Sequence, residues 1–254
     1  MSAPAFELVC EIEPPTRPDI RPVRHQIGVL SRVASAFLIP DNHLGRATVS
    51  SIAVAHEVEA MGGRSIACLN SRDRNLLGLR RDLLTAAAYG VDQFLLVHGD
   101  DPAVGARTSQ LTVRQMIDEV RAFPGARRFR AGTVTRLGPI AAWKRESDFV
   151  FVQMSFSVDE ILRWRDQARI DVPVYAGVLV LASERMAKGL ATDLAGIDIP
   201  SDLIERLGRD RDAGVEFACE QVLALRESGA VDGVHLVPVS RYRDVAARLE
   251  RELS

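Results

Sequence analysis

The sequence predicts an α/β chain folded as a single (β/α)8 TIM barrel, one domain spanning residues 1–254. Two observations predict it. Short apolar runs of strand length alternate with amphipathic stretches of helix length about eight times, with no linker or low-complexity break. The length of 254 residues also matches one barrel of about 250. A doubly wound open sheet is the alternative. Such sheets usually announce dinucleotide binding with G-x-G-x-x-G after an early strand, and neither that motif nor a P-loop occurs. Barrels bind nicotinamide cofactors with other loops, so this does not exclude one.

Residues 6–13 (FELVCEIE) alternate apolar and polar and read as a first strand, ended by Pro14 and Pro15. Residues 19–33 form a helix with Ile27, Val29, Leu30 and Val33 as apolar positions. Phe37, Leu38 and Ile39 make a short strand stopped by Pro40, before a polar loop of Asp41, Asn42 and His43. Residues 49–61 are helical up to Gly62 and Gly63, and residues 65–69 are the third strand. Residues 73–89 form an amphipathic helix with Leu76, Leu79, Leu83, Leu84 and Ala87 toward the core, closed by Gly90.

The fourth strand, Phe94 to Val97, is an apolar run that stops at His98, Gly99, Asp100, Asp101 and Pro102. The run reads as fully buried, and the glycine and Asp-Pro after it are turn formers. A buried strand that ends in a glycine and two carboxylates sets charge at the end of a sheet, and strand ends are where parallel α/β folds bind ligands. The plainer reading is that Asp100 or Asp101 caps the next helix. That helix covers residues 111–123, and a fifth strand covers 129–134. A short helical piece at 140–145, a sixth strand at 148–154, a helix at 158–168 and a seventh strand at 172–181 continue the alternation. Helical segments fill 183–227, interrupted around 196–200, before an eighth strand at 231–237 and a last helix at 242–253.

Composition narrows the function. The chain is 47% hydrophobic and 26% charged, ordinary for a globular domain. Its net charge of -2 comes from interspersed acids and bases, so no basic run points to nucleic acid. The N-terminus has no signal-peptide pattern, and no stretch is long and apolar enough to span a bilayer. Cys10, Cys68 and Cys219 are far apart and odd in number, which predicts buried, reduced thiols and a cytoplasmic protein. The histidines His25, His43, His56, His98 and His235 show no zinc spacing, so no metal site is expected.

In a barrel, the residues at the C-terminal strand ends face one another across one mouth. Here these are Glu11 and Glu13, Asp41 and His43, Asn70, His98 and Asp100, Gln153, and Arg241 after the last strand. Alternation points Glu11 and Glu13 the same way, so one can enter the mouth while the other caps the turn. A carboxylate inside the mouth is a candidate general acid, and Asp100, nearer solvent, is a candidate to stabilise a developing cation. Taken singly, each has a structural reading: a glutamate paired with an arginine, or a glutamine or histidine satisfying backbone groups. Their convergence on one mouth is what points to chemistry.

These residues are also where the chain resembles the methylenetetrahydrofolate reductases. That family's E-x-x-P-P stands here as Glu11-Ile12-Glu13-Pro14-Pro15, its C-R-D-R-N as Ser71-Arg72-Asp73-Arg74-Asn75, and its R-G-D-x-P as His98-Gly99-Asp100-Asp101-Pro102. Gln153 matches the family's glutamine on the sixth strand. Residues 176–180 (AGVLV, with Leu179) loosely match its P-G-I-L-P, and Arg241 matches the arginine after the eighth strand. The resemblance implies Glu11 and Asp100 as catalytic residues, Gln153, Arg241 and Leu179 as folate contacts, and His98, Asn70 and Gln153 as cofactor contacts.

The departures concern the family's flavin contacts. A T-Y-G after strand 2, a histidine on strand 3, the arginine before G-D and a Y-P-E-x-H-P loop after strand 5 are replaced here by Pro40-Asp41-Asn42, Cys68, His98 and residues 133–138. This looks like the flavin-independent branch found in mycobacteria, which implies NADH as direct reductant and no FAD. In the implied reaction, Glu11 protonates the departing aryl nitrogen, Asp100 stabilises the iminium cation, and hydride reaches its carbon while Gln153 holds the pterin. A conventional FAD enzyme is one alternative. A non-redox folate-binding barrel that acts with a partner subunit is the other. The partners expected are the folate and the nicotinamide, with no nucleic acid or membrane, in a monomer or small homo-oligomer.

Overall fold

Eight parallel strands close on themselves in chain order in a computed structural model that describes residues 6–101, 103–108, 110–125, 128–193 and 197–253. The strands are β1 (Glu7–Glu11), β2 (Ala36–Ile39), β3 (Ser65–Asn70), β4 (Gln93–Val97), β5 (Arg130–Thr135), β6 (Phe149–Val152), β7 (Val174–Leu179) and β8 (Gly233–Val237). β8 pairs with β1, with Val9 opposite His235, and this closes the barrel. The helices are α1 (Arg21–Leu30), α2 (Ser51–Ala60), α3 (Leu76–Ala88), α4 (Val113–Ala122), α5 (Ala142–Arg145), α6 (Val158–Ala168), α7 (Glu184–Asp193), α8 (Ser201–Arg209), α9 (Ala213–Ser228) and α10 (Tyr242–Leu253). Single 3-10 turns at His43–Gly45 and Val239–Arg241 come after β2 and β8.

Alternation along each strand makes two cores. Val9, Leu38, Ile66, Cys68, Leu95, Phe149, Phe151 and Tyr175 point inward and fill the barrel. Their neighbours Leu8, Cys10, Phe37, Leu69, Phe94 and Leu96 point outward beneath the helices. Gly132 leaves room for this filling, because a Cβ there would lie 1.9 Å from the Phe149 ring. At the N-terminal end the Tyr175 hydroxyl donates to Glu7 at 2.6 Å, and Arg64 pairs with Glu7 at 2.7 Å. The opposite end is left for the site.

Local chemistry sets the helix starts. Asn75 caps α3 by accepting from the Gly78 amide at 2.8 Å. Thr112 and Gln115 form a reciprocal capping box on α4. The helix after β4 is therefore capped by Thr112, and the expectation that Asp100 or Asp101 does this is corrected. The core face of α3 is also corrected. Leu79, Leu83 and Ala86 are buried while Leu84 is 62% exposed and Ala87 is exposed, because neighbours such as Leu83 and Leu84 lie about 100° apart on a helix. Pro102 and the start of the predicted break at 196–200 lie outside the described residues. All three cysteines are free and buried. No helix among the described residues is long and apolar enough to cross a membrane, and these residues hold no cluster able to bind a metal.

Candidate active site

Glu11 is the last residue of β1, inward by alternation from Val9, and its side chain is 15% exposed. Glu13 lies past the strand end and is exposed, so Glu11 is the carboxylate set in the mouth. Oε2 of Glu11 is 3.1 Å from Nε2 of His235 on β8. The two atoms are close but not aligned for a hydrogen bond, and this Nε2 is buried without another partner among the described residues. The Phe151 ring meets His235 edge-on at 5.4 Å and stacks on Tyr175 at 4.8 Å.

Gln153 stands two residues beyond Phe151 and so shares its inward face. Its backbone amide donates to the Thr135 carbonyl at 2.8 Å, while its half-buried side-chain amide makes no hydrogen bond among the described residues. Leu179, the last residue of β7, is buried with Phe156, Leu181, Ile199, Leu203 and Leu207. With α7 and α8 it makes the apolar wall on this side of the mouth. Cys68 faces inward from β3. Burial, and then the charges of Glu11 and Asp41, push its thiol well above the usual range, so it stays protonated and acts as an apolar wall.

The rim over β2, β3 and β4 is a polar brace. Gly99, at φ +89°, turns the chain at the end of β4, and the exposed Asp100 comes next. Oδ2 of Asp100 accepts from the Leu44 amide at 3.0 Å, which helps hold Leu44 at φ 53°. Arg72 is only 1% exposed. Its Nε and Nη2 donate to the Asp73 carboxylate at 2.6 Å each, and Nη1 donates to the Asp100 carbonyl. The Arg72 guanidinium holds the Asp73 carboxyl down at about 2, helped by the amides of Asn42 and Asn70.

Asn70 is fully buried. It donates to Asp41 at 2.6 Å and accepts from the Asp73 amide at 2.9 Å. Arg74 pairs with Asp41 and, at 2.9 Å, with Asp82. The S-R-D-R-N stretch therefore ties the three loops together.

Of the residues predicted from sequence, Glu11, Gln153 and Leu179 lie on the inner wall and Asp100 on the rim. His98 is exposed, with Nδ1 3.3 Å from the Ser71 hydroxyl and Nε2 3.4 Å from Arg107. Asn70 braces the rim from beneath. Arg241 is buried, with donors on Asp244 at 2.6 Å, on the Arg211 carbonyl at 2.5 Å and on Asp212. Its guanidinium thus fastens the start of α9. Exposed His43 joins none of these contacts.

Sequence reading missed His235. The signal was present: in Gly233-Val234-His235-Leu236-Val237 a single polar residue sits inside an apolar strand. Its partner is 224 positions away in sequence, so only barrel closure brings the two together.

Comparison with known proteins agrees with this architecture. The methylenetetrahydrofolate reductase family pattern matches residues 144–251. No curated protein sequence matches the chain. Among solved structures, an uncharacterized protein from Clostridium thermocellum that binds two copies of 5-methyl-5,6,7,8-tetrahydrofolic acid is similar at 13% identity, covering 98% of this chain and 96% of that one, with a TM-score of 0.64. The EDTA monooxygenase EmoA from Chelativorans sp. BNC1 is similar at 10% identity, covering 98% and 93%, with a TM-score of 0.60. DmoA from Hyphomicrobium sulfonivorans gives 10%, 98% and 89%, with 0.58. At these identities the structural likenesses establish the fold. The family pattern runs from β6 to α10 on a closed eight-stranded barrel, so this part of the chain is similar to the methylenetetrahydrofolate reductases.

Proposed function

We propose that this chain reduces 5,10-methylenetetrahydrofolate to 5-methyltetrahydrofolate with hydride taken directly from NADH and without flavin. The observation that carries the reading is the Glu11 carboxyl, set inside the barrel mouth at 15% exposure. A neighbour of the same fold binds 5-methyltetrahydrofolic acid, which supports a pterin in this mouth.

Glu11 gives its proton to the departing aryl nitrogen as the methylene bridge opens. The Asp100 carboxylate stabilises the iminium cation that remains; one of its oxygens is committed to Leu44 and the other takes no hydrogen bond among the described residues. The Gln153 side-chain amide holds the pterin edge, and Leu179 packs against its face. A folate carboxylate reaches Arg241 by displacing Asp212 or Asp244, whose side chains are 68% and 55% exposed. A reduced nicotinamide supplies the hydride. Gln153 and the exposed His98 ring are the groups available to hold it, with Asn70 shaping that edge from below.

The fold family implies a flavin, and the residues here do not fit one. Where flavin-binding relatives offer donors to the diphosphate and ring edges, this chain offers the Asp41 carboxylate, the buried Cys68 thiol and His98. Each buried polar group left unpaired costs about 1–3 kcal/mol. The test is NADH oxidation by the purified chain with methylenetetrahydrofolate and no added flavin. Turnover with intersecting double-reciprocal lines is expected, because both substrates must be bound together. Parallel lines, or stoichiometric flavin absorbance in active protein, would point to a flavin enzyme. Tight folate binding with no NADH oxidation would point to a binding barrel.

A further inference from the structure

We propose that His235 is a positioning residue for Glu11, orienting its carboxyl toward the departing nitrogen. This rests on the reading of Glu11 as the acid. The geometry points to it in three ways. Nε2 of His235 is 3.1 Å from the Glu11 carboxylate, and no other acceptor among the described residues bonds it. That nitrogen is sealed from solvent with no aligned partner, a costly arrangement in an apolar barrel unless a proton is shared there. The ring meets Phe151 edge-on at 5.4 Å, a contact that favours its place beside Glu11.

The surroundings leave the pair to itself. Cys68 faces it from β3 as a protonated thiol, with Asp41 beyond, paired to Arg74. Phe151 faces it from β6. Deeper in the barrel, Tyr175 and Arg64 are both engaged with Glu7, and Arg130 lies against the Phe149 ring. None of these contacts supplies Glu11 with a proton.

The proton balance then closes. Opening the methylene bridge breaks a carbon–nitrogen bond, whose electron pair stays on nitrogen and takes the Glu11 proton. The Glu11 side chain is 15% exposed, so the resulting carboxylate takes its next proton from water in the mouth, and the one proton the reduction consumes passes from water through Glu11 to the product nitrogen.

The experiment uses the full chain with His235→Phe, which keeps the ring, and His235→Gln, which keeps a donor. We expect His235→Phe to lower kcat about 10–100-fold, as loss of an outer supporting contact does, with KM for both substrates nearly unchanged. His235→Gln should recover much of the kcat. A His235→Phe enzyme with wild-type kcat would overturn the proposal, as would one that loses only melting temperature.

The contact is also read without turnover. The ¹⁵N shift of His235 Nε2 should move in Glu11→Gln, and an unmoved resonance overturns the proposal. If the wild-type chain does not oxidise NADH while this resonance moves, the proposed reaction has failed and the contact stands.

Discussion

Two substitutions at Asp100 separate charge from architecture. Oδ2 of Asp100 accepts the Leu44 amide at 3.0 Å and so supports a non-glycine residue in the left-handed region. Asp100→Asn keeps an oxygen acceptor there and removes only the charge. Asp100→Ala removes both. A lost hydrogen bond of this kind is worth about 1 kcal/mol, or about 2–4 °C in melting temperature for a chain of this size.

The Asn variant should therefore melt within about 0.5 kcal/mol of wild type, while Ala falls by that larger step. If the carboxylate stabilises the cation, both variants lose kcat about 10²–10³-fold, the usual loss when a preorganised electrostatic contact is removed. The assays are thermal melting and steady-state NADH oxidation on the same preparations. An Asn variant with wild-type kcat would refute the electrostatic role and leave Asp100 as a loop brace.

Three further outcomes are expected. Glu11→Gln should fold normally and lose about 10²–10⁴-fold in kcat; half-activity in this variant would move the acid elsewhere, with Glu13 tested next. Arg72→Met leaves the Asp73 carboxylate and the Asp100 carbonyl without their cation. Breaking a buried pair costs about 3–5 kcal/mol, so the melting temperature should drop by about 6–20 °C, and a drop under about 3 °C would show that the brace is dispensable. The Asp73 carboxyl sits at about 2 in the folded chain against about 3.9 unfolded, because Arg72 grips it. Its folded value is depressed, so its stabilisation is full above pH about 4 and is lost as pH falls toward about 2. Urea midpoints for wild type and Asp73→Asn should therefore differ near neutral pH and converge in strong acid; a constant gap would place the effect elsewhere.

The order of elements was legible in the chain because burial on two faces writes near-continuous apolar runs, and amphipathic helices write a period near 3.6. Both are local signals. Helices α6 (Val158–Ala168) and α10 (Tyr242–Leu253) begin and end where the pattern says. Boundaries slipped where a polar residue ends pairing inside an apolar run, as at Glu11 in the predicted 6–13 strand. The α3 face was misassigned because its sequence holds more leucines than one face can bury.

Glu11 and Gln153 were placed at strand ends by where the apolar runs stop, and Leu179 by its resemblance to a family motif. What those side chains touch was not legible in this way. His235 meets Glu11 only because β8 closes onto β1, and the register of that closure is set by shear around all eight strands, not by either segment. In the same way, Asp100 reaches back to Leu44, and Arg72 spans two loops, through contacts between strands that the chain visits at different times. The sequence by itself determined the order of strands and helices, because that depends on each residue and its near neighbours. Only the tertiary structure decided which polar groups meet across the mouth, because that depends on distances between segments that no local pattern encodes.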